Sequence, residues 1–251
     1  MKTVAILMLG AVLATALPAA ASRTRAADTL QIPDATLKGA FGGIDCPQGS
    51  PSDALCWTIN NKGPVRGLGM VSESGVLVVR GPHTSCEQWQ SAPTLTVAGK
   101  GTITLSVQTP GCLSDVSGAA LQAEQQFTVT GGTGSYAGAS GSGTLLSVGV
   151  PYTHGSDMIT GTLDAPATTF DLTPPTFAGA SAKTLRMPKG KRSARVKYVV
   201  RASDGVDGPV PAACDPASGS AFTIGRTQVT CTATDSSGNT ATARFTVTVR
   251  R

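Results

Sequence analysis

The chain has 251 residues, 40% of them hydrophobic but only 4% aromatic, with 30 glycines and 16 prolines. That length holds one large domain or two small ones, and the richness in glycine, proline, serine, threonine and valine argues against a helical bundle and for short strands joined by turns. The formal net charge of +5 is unevenly spread: residues 22–170 carry 7 basic and 10 acidic side chains, residues 171–251 carry 12 and 5.

The amino end reads as a cleavable secretory signal over residues 1–21. Lys2 gives a positive start, Val4 to Leu17 is an apolar run, and Pro18 followed by Ala19-Ala20-Ala21 offers small residues for cleavage, with a second candidate after Ala27. The run is 14 residues long, short of the roughly 20 a helix needs to cross a bilayer. The mature chain is therefore expected to be secreted, without a transmembrane segment. Six cysteines, Cys46, Cys56, Cys86, Cys112, Cys214 and Cys231, are an even number, read in an exported protein as disulfides. Counting leaves about 15 pairings open. Cys46–Cys56 with Cys86–Cys112 is the most local arrangement for the amino half. No cysteine pair has metal-binding C-x-x-C spacing and the only histidines are His83 and His154, so neither a metal site nor a cofactor is expected.

Residues 31–166 read as β structure. Gly101 to Val107 and Gln126 to Thr130 alternate apolar with polar, Gly131-Gly-Thr-Gly134 is a turn cluster, and Leu145 to Val150 and Met158 to Leu163 follow as strands. Asp115 to Gln125 is ambiguous between a loop and a short helical turn. Phe127-Thr-Val-Thr-Gly-Gly-Thr-Gly-Ser-Tyr-Ala-Gly-Ala-Ser-Gly-Ser-Gly-Thr144, with Ile159-Thr-Gly-Thr-Leu163 after it, resembles the glycine-rich turn and closing strand of dirigent and allene oxide cyclase-like barrels. The resemblance spans residues 99–165 and implies a small antiparallel barrel, able to hold side chains or a small hydrophobic ligand. No functional residue of those families is matched here. Trp57 and Trp89, beside Cys56 and Cys86, are read as core rather than as a sugar-stacking platform.

The charge switches sign at Asp171-Leu-Thr-Pro-Pro175, where two prolines stop regular pairing. Beyond it, residues 171–250 carry three period-two stretches. Val196, Tyr198 and Val200 share one face opposite Arg195, Lys197 and Arg201. Val229, Cys231 and Ala233 form a second, and Phe245, Val247 and Val249 a third, with Asp235-Ser-Ser-Gly-Asn239 as the intervening turn. Cys214-Asp-Pro-Ala-Ser-Gly-Ser-Ala-Phe222, Ile224-Gly-Arg-Thr-Gln-Val-Thr-Cys231 and Thr232-Ala-Thr-Asp-Ser-Ser-Gly-Asn239 resemble the hyalin repeat (HYR) domain. That resemblance implies an immunoglobulin-like β-sandwich, a Cys214–Cys231 disulfide, and adhesion or interaction rather than catalysis. The whole is thus expected to be all-β, an antiparallel β-barrel followed by an immunoglobulin-like β-sandwich.

Asp204, Asp207, Asp215 and Asp235 are oxygen ligands of the kind calcium takes, but each also sits where an Asx turn is expected, and turns are the favoured reading. Eight lysines and arginines between Lys183 and Arg201 suit an anionic polymer or a solvated strand face. With few aromatics among them, nucleic-acid binding is not expected. No Gly-x-Ser-x-Gly elbow occurs, and Ser140-Gly-Ser-Gly-Thr144 falls in a turn cluster. His83 and His154 read as loop residues. Glu73, Glu87 and Glu124 show no signalled partner for two-carboxylate chemistry. No catalytic residue is assigned. The expected function is adhesion, or contact with an extracellular protein or anionic surface polymer. The alternative is a barrel that binds or converts a small hydrophobic ligand.

Overall fold

The computed structural model describes residues 29–82, 86–112, 121–150, 154–187, 189–190 and 192–251. The signal segment, His83, Asp115 and Lys191 lie outside them. Nine strands build the amino-terminal part: β1 (Thr29–Ile44), β2 (Leu55–Val65), β3 (Gly69–Arg80), β4 (Gln88–Ser91), β5 (Thr94–Val97), β6 (Gly101–Gln108), β7 (Leu121–Gly132), β8 (Ser140–Val150) and β9 (His154–Asp164). Each pairs antiparallel with its neighbour, and β9 returns to β1, so the sheet closes. Strands β4 and β5 both lie between β3 and β6 and occupy one position interrupted at Ala92-Pro93, because proline cannot donate to a ladder. The result is an eight-strand closed antiparallel barrel. A bulge at Pro33-Asp34 shifts the register of β1 against β9, with Asp34 at a φ of 44°.

The alternation read from sequence sets which side chains face inward. At the lower end Leu30, Leu37, Leu68, Ile103, Leu105, Phe127, Leu145 and Leu163 join Tyr136 and Phe170 in one apolar cluster. At the upper end Ile59, Leu77, Val79, Trp89 and Ala123 form another, with Phe41 and Trp57 packed on it. Gly143 and Gly161 face each other across β8 and β9. A Cβ on either would stand 2.7 or 2.9 Å from the Phe127 ring, so the glycine pair is the seat on which that ring lies.

Two expectations are corrected. Residues 121–125 extend β7 rather than forming a loop or helical turn, since they pair with Leu145 to Gly149. Ser140 to Thr144 belong to β8 rather than to a turn cluster, because the turn is completed earlier by the 3-10 turn Gly134–Tyr136. Phe127 to Thr130 and Leu145 to Val148 do lie on neighbouring antiparallel strands.

The carboxyl-terminal part contains β10 (Thr176–Ala178), β11 (Lys183–Arg186), β12 (Ala194–Arg195), β13 (Arg201–Asp204), β14 (Gly208–Val210), β15 (Ala212–Asp215), β16 (Ala221–Phe222), β17 (Gly225–Thr234) and β18 (Thr240–Arg250). They form sheets ordered β10-β13-β14, β11-β18-β17-β15 and β12-β16. Ala194, Val196, Tyr198 and Phe222 pack on Val229, Cys231, Phe245, Val247 and Val249. Tyr198 and Phe245 meet edge to face at 5.0 Å in this tryptophan-free part. Residues 196–200 keep the predicted in-out alternation without strand pairing, because their backbone is met elsewhere. The Tyr198 amide donates to Ser218 Oγ, the Val196 amide donates to the Ser220 carbonyl, and the Tyr198 hydroxyl donates to the Pro216 carbonyl.

The two parts touch at the lower end of the barrel. The Gly67 amide donates to the Ser237 carbonyl at 2.7 Å. Gly69, at a φ of 92°, lets the β2–β3 turn come so close that a Cβ there would stand 2.2 Å from the Ser236 carbonyl oxygen.

Candidate functional site

The disulfides join Cys46 to Cys56, Cys86 to Cys112 and Cys214 to Cys231. The first two brace chain segments at the upper end of the barrel, and the third ties β15 to β17. Trp89 is buried core, and its indole N–H donates to Glu87 Oε1 at 2.7 Å. Trp57 is half-buried at the upper rim. His154 is exposed at the start of β9, and Glu124 lies on the outer face of β7.

Between the two apolar clusters lies a polar layer. Asn61, Glu73, Gln125, Ser147 and Asp157 all point inward and are at most 7% exposed. Register brings them together: Asn61 stands opposite Glu73 across β2 and β3, and Ser147 stands opposite Asp157 across β8 and β9. The Asn61 amide donates to Glu73 Oε2 at 3.0 Å and to Asp157 Oδ2 at 2.7 Å. Ser147 donates to Asp157 Oδ1 at 2.5 Å and accepts from Gln125 Nε2 at 2.9 Å. Burial pushes Glu73 up to about 8, reinforced by the charge of Asp157. Burial raises Asp157 as well, against the donors Ser147, Glu73 and Asn61 that favour its charged form. The pair thus keeps a proton to higher pH than isolated carboxyls do, as two carboxyls must when they cannot both ionise in one dry space. Asn61 Oδ1, Glu73 Oε1 and Gln125 Oε1 accept no hydrogen bond.

This carboxyl pair is the group that sequence reasoning missed. A signal was present. Glu73 shares its parity with Val71, Leu77 and Val79, and Asp157 shares its parity with Ile159 and Leu163. An acid at an inward position of an apolar-patterned strand announces a buried charge.

A second acidic group sits where the two parts meet. Asp171 from the segment before β10, Asp204 from the end of β13 and Asp235 from the β17–β18 turn each offer one carboxylate oxygen, all within 4.8 Å of one another. The turn expected at Asp204 and at Asp235 is present: Asp204 Oδ1 accepts from the Val206 and Asp207 amides, and Asp235 Oδ1 from the Ser237 and Asn239 amides. Asp207 binds the Ser236 amide and hydroxyl, tying the β13–β14 turn to the β17–β18 turn. Asp215 is not the turn residue expected: it ends β15, paired with Thr230, and is not among the three converging acids. Burial raises Asp171, aided by the charges of Asp204, Asp235 and Asp207. Burial also pushes Asp204 upward, but hydrogen bonds from the Val206, Asp207 and Gly205 amides outweigh it and hold its carboxyl below the usual value.

At the opposite end of this part Arg186 and Arg250 are register partners on β11 and β18, both exposed. Lys189, Arg192, Arg195, Lys197 and Arg226 are exposed as well.

The HYR domain, a non-catalytic module, matches residues 170–249. No curated protein and no solved structure matches the chain. Three disulfides and this match point to an extracellular protein, whose last 80 residues or so are similar to the HYR domain.

Proposed function

We propose that this is an exported, non-catalytic interaction protein, in which the HYR-matched part makes adhesive contacts and the barrel is the scaffold that carries it. The observation behind this reading is the filled barrel interior. Apolar clusters occupy its two ends, and five polar side chains occupy its middle. The lower apolar void, lined by Ile32, Leu68, Ile103 and Phe127 among others, is about 10 Å³, room for about one water. A barrel packed with its own side chains supports display over enclosure of a substrate.

The exposed basic side chains of the HYR-matched part support a partner that is an anionic extracellular polymer or an acidic protein surface. Charge attraction of this kind weakens with salt. Binding of the mature protein to an immobilised anionic polysaccharide should fall about tenfold between low and physiological ionic strength. Reversing Lys189, Arg192 and Arg195 to Glu should abolish it. Retention indifferent to both salt and charge reversal would sink the reading.

A second reading has one observation in its favour. Three buried acceptors in the polar layer lack a donor, which suits a small hydrophobic molecule carrying a hydroxyl, in line with the resemblance to dirigent and cyclase-like barrels. Saturable quenching of Trp89 fluorescence by such a molecule, lost in Glu73→Leu, is the result that would favour it.

A further inference from the structure

We infer that Asp171, Asp204 and Asp235 form a calcium site within the HYR-matched part, beside its contact with the barrel. Three carboxylates from three separate segments converge within 4.8 Å. Convergence alone is common on protein surfaces. What distinguishes this group is the state of its oxygens. Asp204 is 7% exposed, its Oδ1 is fixed by two backbone amides, and its Oδ2 is buried without any hydrogen-bond partner. Asp171 repeats the pattern, with Oδ1 held by the Thr173 amide and Oδ2 buried and unpartnered. A buried carboxylate oxygen lacking a donor costs stability unless a cation meets it.

The nearby cation does not serve. Arg66 gives Nε to Asn239 Oδ1 at 3.2 Å and a terminal N–H to the Leu172 carbonyl at 3.1 Å, so its guanidinium is engaged beside the carboxylates rather than on them. Asn239 donates to Asp235 Oδ2 and to the Asp171 carbonyl, which holds two of the three acids in place. The donor set is oxygen only, without histidine or thiol, and that selects a hard cation. Three monodentate carboxylates with water completing the shell, each on a turn rather than in a rigid octahedral cage, fit calcium better than magnesium. The expected affinity is that of extracellular modules, a dissociation constant of about 0.1–1 mM.

The site also borders the contact with the barrel. Asp235 heads the turn whose Ser237 carbonyl accepts from Gly67, and Asp171 lies next to Leu172, which packs on the barrel core. An ion bridging these acids would bind the β17–β18 turn, the Asp171 segment and β13 together beside the contact with the β2–β3 turn. This inference does not depend on what the basic side chains bind.

The test uses the full mature chain, stripped with a chelator. Titration calorimetry with calcium chloride should show saturable binding in the stated range, and about 10 mM calcium should raise the melting temperature by several degrees. Asp171→Asn should weaken calcium binding at least about tenfold while melting cooperatively in chelator. Asp204→Asn should do the same if it folds; Asp171→Asn carries the test if it does not. Two outcomes overturn the site: a wild-type chain that binds no calcium up to about 10 mM, or an Asp171→Asn chain that binds it as tightly as wild type.

Discussion

Two groups of acids in this molecule meet the same difficulty, like charges brought close together, and they stand in different surroundings. In the barrel, Glu73 and Asp157 are buried among amide and hydroxyl donors in a layer closed above and below by apolar side chains. The cheapest relief there is a proton, because an ion would have to shed its water to enter. At the junction, Asp171, Asp204 and Asp235 are held from outside by backbone amides, with two oxygens left over. Relief there is open to a cation arriving from solvent. Depth and donor supply, rather than the number of acids, separate a proton site from a metal site.

The largest effect expected from breaking this contrast lies in the barrel. Asp157→Ala removes the acceptor for Ser147 and Asn61 and leaves Glu73 buried without its proton partner. It should cost about 3 kcal/mol in denaturant unfolding. A loss below about 0.5 kcal/mol would show that the polar layer is hydrated rather than closed.

The second test is pH. Glu73 has a folded value near 8 against an ordinary 4.5, so the folded chain holds the proton more tightly than the unfolded chain. Its contribution is fully present below about pH 4.5 and is lost as pH rises toward 8. Across that window each pH unit should cost up to about 1.4 kcal/mol for this one proton. In Glu73→Gln, whose amide retains a donor for Asp157, the slope should flatten. An unchanged slope would place the titration on another group.

How much of this was legible beforehand differs between the two groups for a physical reason. Period-two patterning exposed the strands, including Val229-Cys231-Ala233 and Phe245-Val247-Val249, because a half-buried strand writes its burial locally. Closure of the barrel was not local: β1 meets β9 across more than a hundred residues, and only the resemblance of the glycine-rich segment hinted at it. Glu73 stands in the sequence as a lone carboxylate and Asp157 carries no mark of its own, and their meeting depends on that closure. Asp204 and Asp235 were weighed together and read correctly as turn residues. Asp171 was read for the prolines that follow it, since a linker residue gives no periodic sign of where its side chain will point.

The third test concerns what holds the junction without an ion. Arg66→Ala removes two hydrogen bonds between the β2–β3 turn and the carboxyl-terminal part, to Asn239 and to the Leu172 carbonyl. The expected loss is about 1 kcal/mol, read as a lowered melting temperature. If Arg66 instead serves as the counter-charge for the acids, the loss should shrink sharply in high salt; hydrogen bonding predicts little salt dependence.

The smallest effect carries the most information. In chelator, Asp171→Asn removes one of several crowded negative charges yet keeps an oxygen for the Thr173 amide. Stability should rise slightly, by less than about 1 kcal/mol, because the site is partly exposed and the repulsion is screened. In calcium the same substitution should lower stability relative to wild type, because the ion's binding energy is lost. Asp157→Ala in the barrel should destabilise equally with and without calcium. A sign that reverses with calcium at one acid and not at the other is what a cation site and a proton site require. No generic surface effect of mutation produces that pair of results.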